Sequence, residues 1–80
     1  MMTPKDIERC RAFQRWVTKI DGKEAAQTIT GIGERSLNRI LGETKPPPVR
    51  MLPTLAQHAR DNGWADVADA LDRAAEPADA

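Results

Sequence analysis

Eighty residues leave room for one small domain with one core. The chain is 40% apolar, but 12 of those residues are alanine; one phenylalanine, two tryptophans, no tyrosine and few β-branched residues favour helix over sheet. Twelve Lys/Arg balance twelve Asp/Glu, and no apolar run approaches the ~20 residues of a bilayer span, so a membrane role drops out.

Thr3-Pro4 opens a first helix as N-cap and first helical residue, with Asp6 in its positive first turn. Ile7, Cys10, Phe13, Val17 and Ile20 recur at three- and four-residue spacing and define its inner face, with Trp16 on the flank and Arg11, Arg15 and Lys19 opposite. Gly22 ends this helix near Ile20, and Asp21-x-x-Glu24 has the spacing of a capping box for the next. The second helix runs from Lys23 to about Ile29, where Thr30-Gly31-Ile32-Gly33 breaks the pattern and forms a tight turn. A third helix, Glu34 to Leu41, buries Leu37, Ile40 and Leu41 and stops at Gly42 in the C′ position. Thr44-Lys45-Pro46-Pro47-Pro48 is an extended connector, because three consecutive prolines exclude helix.

A fourth helix spans about Val49 to Arg60 and buries Met51, Leu52, Leu55 and Ala59, with Pro53 delaying or kinking its start. After Asn62-Gly63, the positions Trp64, Val67, Ala68, Leu71 and Ala75 mark a fifth amphipathic helix whose other face carries Asp66, Asp69 and Asp72. Residues 1–76 are thus one all-α domain of about five short helices, and 77–80 a frayed tail.

The chemistry this inventory allows is narrow. Cys10 has no second cysteine to pair with, and with the single histidine, His58, it cannot complete a four-ligand zinc site, so a reduced chain without metal or cofactor is expected. The start Met1-Met2-Thr3-Pro4-Lys5-Asp6 carries no secretory h-region, which favours a cytoplasmic location. A nucleophile would have to be Ser36, on a charged helix, or Cys10, on an apolar face, and the periodicity places His58 on the solvent side of the fourth helix. No enzyme is expected.

The charge is not evenly distributed. Residues 1–50 carry ten Lys/Arg against six Asp/Glu, and residues 51–80 two against six, a gradient from +4 to −4 that suits an N-terminal part facing a polyanion. Within that part, the helices at 23–41 must bury one another through Ala25, Ala26 and Ile29 on one side and Leu37, Ile40 and Leu41 on the other, with Ile32 between. Small alanines let the two cross at close range. Glu34, Arg35, Asn38 and Arg39 then face outward: arginine can donate twice to guanine, asparagine can pair with adenine, and glutamate can accept from cytosine.

Ala25-Ala26, Ile29, the turn Gly31-Ile32-Gly33, the run Glu34-Arg35-Ser36-Leu37-Asn38-Arg39-Ile40-Leu41 and the Gly42-Glu43-x-x-Pro-Pro-Pro exit together resemble the Cro/phage-repressor (XRE-type) helix-turn-helix regulators. One departure is an extra residue between Ala26 and Gly31. The resemblance implies a lambda-repressor-like domain with its helix-turn-helix at about 23–41, in which Arg35, Arg39, Asn38 and Glu34 reach base edges. Ser36 would then sit nearer the DNA backbone.

Phosphate contacts need only positive groups or free donors around the reading helix, and Lys23, Thr30, Lys45 and Arg50 are placed to supply them. A single reading helix spans few base pairs, so a homodimer on a palindromic operator is expected, with Trp64, Val67 and Leu71 on the fifth helix as its interface. The function expected is a sequence-specific double-stranded-DNA-binding repressor, phage or mobile-element encoded and nucleoid-associated. The alternative is a helical protein-interaction module, an antitoxin or a phage-encoded inhibitor of a host protein, that reads no bases.

Overall fold

The computed structural model describes residues 2–77. In chain order it contains α1 (Pro4–Lys19), α2 (Lys23–Thr30), α3 (Glu34–Leu41), a 3₁₀ turn (Val49–Met51), α4 (Leu52–Asp61) and α5 (Ala65–Ala75). There is no strand among the described residues, and the all-α, five-helix expectation holds. Of the tail expected at 77–80, Pro77 follows the last helix and the rest lies outside the described residues.

Helix α1 starts where threonine and proline place it. The Thr3 hydroxyl accepts from the Asp6 N–H and the Asp6 carboxylate accepts from the Thr3 N–H, both at 3.1 Å, closing a capping box. The buried face of α1 is Cys10, Ala12, Phe13, Trp16 and Val17. Trp16, set on the flank by periodicity, is at its centre, while Ile7 and Ile20 are only half-buried. The largest side chain offers the most area to remove from water and turns the helix toward itself.

The capping box expected of Asp21 and Glu24 is not formed. Asp21 instead ends α1: it takes a left-handed conformation (φ 68°), its N–H donates to the Thr18 carbonyl, and the Gly22 N–H donates to that of Val17. Gly22 then caps α2 with no side-chain bond. The connection is too short for Asp21 to serve both helices.

Pro53 delays α4 as anticipated, leaving Val49–Met51 as a separate 3₁₀ turn, and the middle proline of the connector, Pro47, is buried. Helices α4 and α5 pack on each other and on α1, with Leu52, Leu55, Ala56, Ala59, Val67, Ala68, Leu71 and Ala74 in one core with Phe13 and Trp16. Two expectations fail here. Val67 and Leu71 are 2% and 0% exposed and Trp64 is half-buried, so the face assigned to a second copy closes the core of a single chain. His58 is half-buried instead of lying on the solvent face: its Nδ1 accepts from the buried Trp16 Nε1–H at 3.1 Å, and its ring meets Trp16 and Trp64 edge-on at 5.7 and 5.9 Å. The indole N–H needed an acceptor inside the core, and α4 provides it.

Candidate nucleic-acid interface

Helix α3 begins and ends at the residues expected, because Gly33 and Gly42 bracket one amphipathic stretch. Leu37 and Ile40 are 0% and 1% exposed, and Leu41 is half-buried. All four residues assigned to base reading, Glu34, Arg35, Asn38 and Arg39, are exposed on the other side. None of them has a side-chain hydrogen bond or ion pair among the described residues.

Helix α2 rests on α3 through less than anticipated. Ala26 is fully buried, Ala25 half-buried, and Ile29, expected between the helices, is 45% exposed. The extra residue before Gly31 is taken up as helix, so that α2 continues to Thr30 and Gly31 turns the chain in the left-handed region (φ 74°). The inward apolar position is filled by Ile32 from the turn, which packs on the core.

The end of α3 is held from α1. The Gln14 Nε2 donates to the Leu41 carbonyl at 2.9 Å and to Glu43 Oε2 at 3.4 Å, and Arg11 Nε lies 3.5 Å from Glu43 Oε1. Gly42 is not the left-handed residue expected; Glu43 is, at φ 60°, with its N–H donating to the Ile40 carbonyl and the Thr44 N–H to that of Arg39. Gly42 is glycine for closeness, since a Cβ there would come within 3.2 Å of the Asn38 carbonyl oxygen. Cys10 is fully buried, as expected of an inert thiol; its Sγ–H donates to the Lys45 carbonyl at 3.2 Å. Burial, helped by Glu43 and Asp6, pushes its pKa up. Gln14 and Glu43 escaped sequence reasoning because they meet across 29 residues and carry no local signal.

The phosphate candidates divide. Lys23 is exposed in the first turn of α2, and Arg50 is exposed in the 3₁₀ turn. Lys45 is exposed and donates to the half-buried Ser36 hydroxyl at 3.4 Å, which brings these two together beside α3. Thr30 does not fit its assignment. Its hydroxyl donates to the Ala26 carbonyl at 2.7 Å and accepts from the Ile32 N–H at 3.1 Å, so its one proton is already used in shaping the turn.

The cations of the chain differ in whether a carboxylate meets them. Lys5, Arg9, Arg11 and Arg60 each have a carboxylate partner, in Glu8, Asp6, Glu43 and Asp72 respectively. Lys23, Arg35, Arg39, Lys45 and Arg50 have none among the described residues, and neither do Arg15 and Lys19 on α1 or Arg73 on α5. No group of three metal-ligating side chains occurs among the described residues, and no helix there is long and apolar enough to cross a membrane. Comparison of the chain with models of protein families, with curated proteins and with solved structures finds no match.

Proposed function

We propose that the chain is a sequence-specific DNA-binding regulator, a repressor, that lays α3 in the major groove. One observation supports this most: a helix whose inner face is buried presents Glu34, Arg35, Asn38 and Arg39 outward with no side-chain partner among the described residues, and Lys45 is bonded to Ser36 beside them. Arg35 and Arg39 carry the forked donors that match guanine O6 and N7, Asn38 can bond adenine N6 and N7, and Glu34 can accept from cytosine N4. Lys23, Arg50 and the Lys45–Ser36 pair hold the phosphates on either side.

Eight residues of helix are about 12 Å long, enough for a few base pairs. The operator is therefore two-fold, read by two copies about 34 Å apart. Their contact uses a surface other than Val67 and Leu71, which are closed inside each chain. Such a protein works where the DNA is, in the cytoplasmic nucleoid, and needs no metal or cofactor.

Selection of bound sequences from random duplex DNA tests the reading. A two-fold symmetric winner is expected, with log K falling linearly as log salt rises, by ~0.9 for each phosphate neutralised. Failure to enrich any sequence, together with a flat salt plot, would overturn base reading and leave the helical interaction module in its place.

A further inference from the structure

We propose that the groove between the end of α2 and the start of α4 is a binding site for a small apolar acid, a carboxylate on a hydrocarbon or aromatic body. The groove has a volume of about 440 Å³, within the range of small-molecule sites. Its lining combines apolar side chains, among them Ile29, Met51 and Leu55, with four polar ones, Thr30, Arg50, Thr54 and His58.

The polar set has a definite chemistry. Arg50 presents only donors. His58 Nδ1 accepts the Trp16 N–H, so the ring proton sits on Nε2 and makes that nitrogen a donor. Thr54 adds a hydroxyl that can donate or accept. No Asp or Glu lines the groove, and Arg50 has no carboxylate partner among the described residues. A guanidinium with no carboxylate in the lining, beside an imidazole N–H and a hydroxyl, favours a ligand that brings a charged carboxylate.

The apolar half points the same way. Ile29 and Val49 are the exposed large hydrophobics of the described chain, at 45% and 41%, and Ile29 lines the groove. Ile29 stays outside the α2–α3 contact, where Ile32 fills the inward position, and its side chain is left at this opening. An apolar body seated there removes it from water.

The site shares Arg50 with the phosphate contacts proposed above, so it is tested on the protein free of DNA, where the outcome is independent of base reading. The probes are straight-chain carboxylates of four to ten carbons and 4-phenylbutyrate, each beside its neutral amide, followed by ¹H–¹⁵N NMR with the Trp16 Nε1–H as reporter of His58. At least one acid should bind saturably and move the signals of Ile29, Met51, Thr54 and Trp16 Nε1–H, with its amide tenfold weaker or more. Arg50→Gln, at an exposed position, should bring the acid down to the amide's affinity while thermal unfolding stays unchanged. Acid and amide binding alike, no saturable binding across the panel, or an Arg50→Gln variant that keeps the acid would each overturn the proposal. So would sedimentation showing a dimer that Ile29→Asp dissociates, because a second copy would then cover the groove.

Discussion

The α2–α3 and α4–α5 pairs are built alike, each two short helices joined by three residues that include a left-handed glycine, Gly31 in one and Gly63 in the other. They differ in where the side chains go. The α4–α5 pair places Leu52, Leu55, Ala56, Ala59, Val67, Ala68 and Leu71 in the core and ties its outer surface with Arg60 against Asp69 and Asp72. The α2–α3 pair gives the core Ala26, Leu37 and Ile40, and its outward charges meet no partner within the pair among the described residues. The same local device thus serves stability in one place and a free polar surface in the other, and binding surfaces are commonly drawn from the less densely packed part of a fold.

The sharpest way to break this contrast is to remove one apolar side chain from each pair. Leu71→Ala empties a fully buried position and should cost about 2–5 kcal/mol, a large fraction of the stability of an 80-residue domain. Ile29→Ala, at a 45% exposed position, should stay within about 0.5 kcal/mol. Urea unfolding of the two variants measures both, and comparable losses would mean that α2 is as much a part of the core as α5.

Arg35→Ala sharpens the same contrast from the binding side. It should weaken binding to the selected operator by about 1–3 kcal/mol and relax preference at one base pair. The urea midpoint should not move, since the side chain is exposed and has no partner among the described residues. Loss of stability with unchanged preference would make Arg35 structural.

His58→Phe takes the test back to the packed pair. It keeps a ring but removes the acceptor of a fully buried indole N–H, and should cost about 1–3 kcal/mol with a shifted Trp16 Nε1–H resonance. An unmoved resonance would mean that the bond does not form in solution.

Helix α3 was legible because its two bracketing glycines and its 3.6-residue pattern agree, and the outward set follows once Leu37 and Ile40 point in. The features that were not legible depend on distant partners. A two-turn helix has several inward orientations, and which one α2 adopts is decided by Ile32 entering from the turn, so Ile29 could not be placed from spacing alone. Left-handed Glu43 violates the glycine preference and is held by Gln14 and Arg11 of α1. His58 sits on the flank of the α4 pattern, half-buried, and the need of Trp16 for an acceptor turns one edge of its ring toward the core.

Cys10 gives the contrast a pH dependence. Burial raises its pKa above the ordinary 9.0, so the folded state holds the proton longer than the unfolded one. Its contribution is complete below the ordinary value and is lost as pH rises through the raised one. Stability should therefore fall on the alkaline side more steeply in the parent chain than in Cys10→Ala. Parallel pH profiles would show that the thiol is not shielded by the α1–connector contact.

The smallest expected effect asks whether the turns themselves contribute to the difference between the pairs. Gly31 and Gly63 have φ of 74° and 80°, and a Cβ at either would meet nothing within 4 Å. The cost of Gly31→Ala and of Gly63→Ala is then backbone alone: roughly 1–2 kcal/mol for an L-residue in the left-handed region, offset in part by the stiffer unfolded chain. Each variant should lose about 1 kcal/mol, and the two should agree within error in urea unfolding. Around Gly63 two backbone bonds close the turn, from its own N–H to the Arg60 carbonyl and from the Trp64 N–H to that of Ala59, whereas around Gly31 one backbone bond does, from its N–H to Gln27, and the Ile32 N–H turns to the Thr30 hydroxyl. A clearly larger loss at Gly63 would show those bonds breaking with the φ change, and the packed pair would then owe part of its stability to its turn as well as to its core.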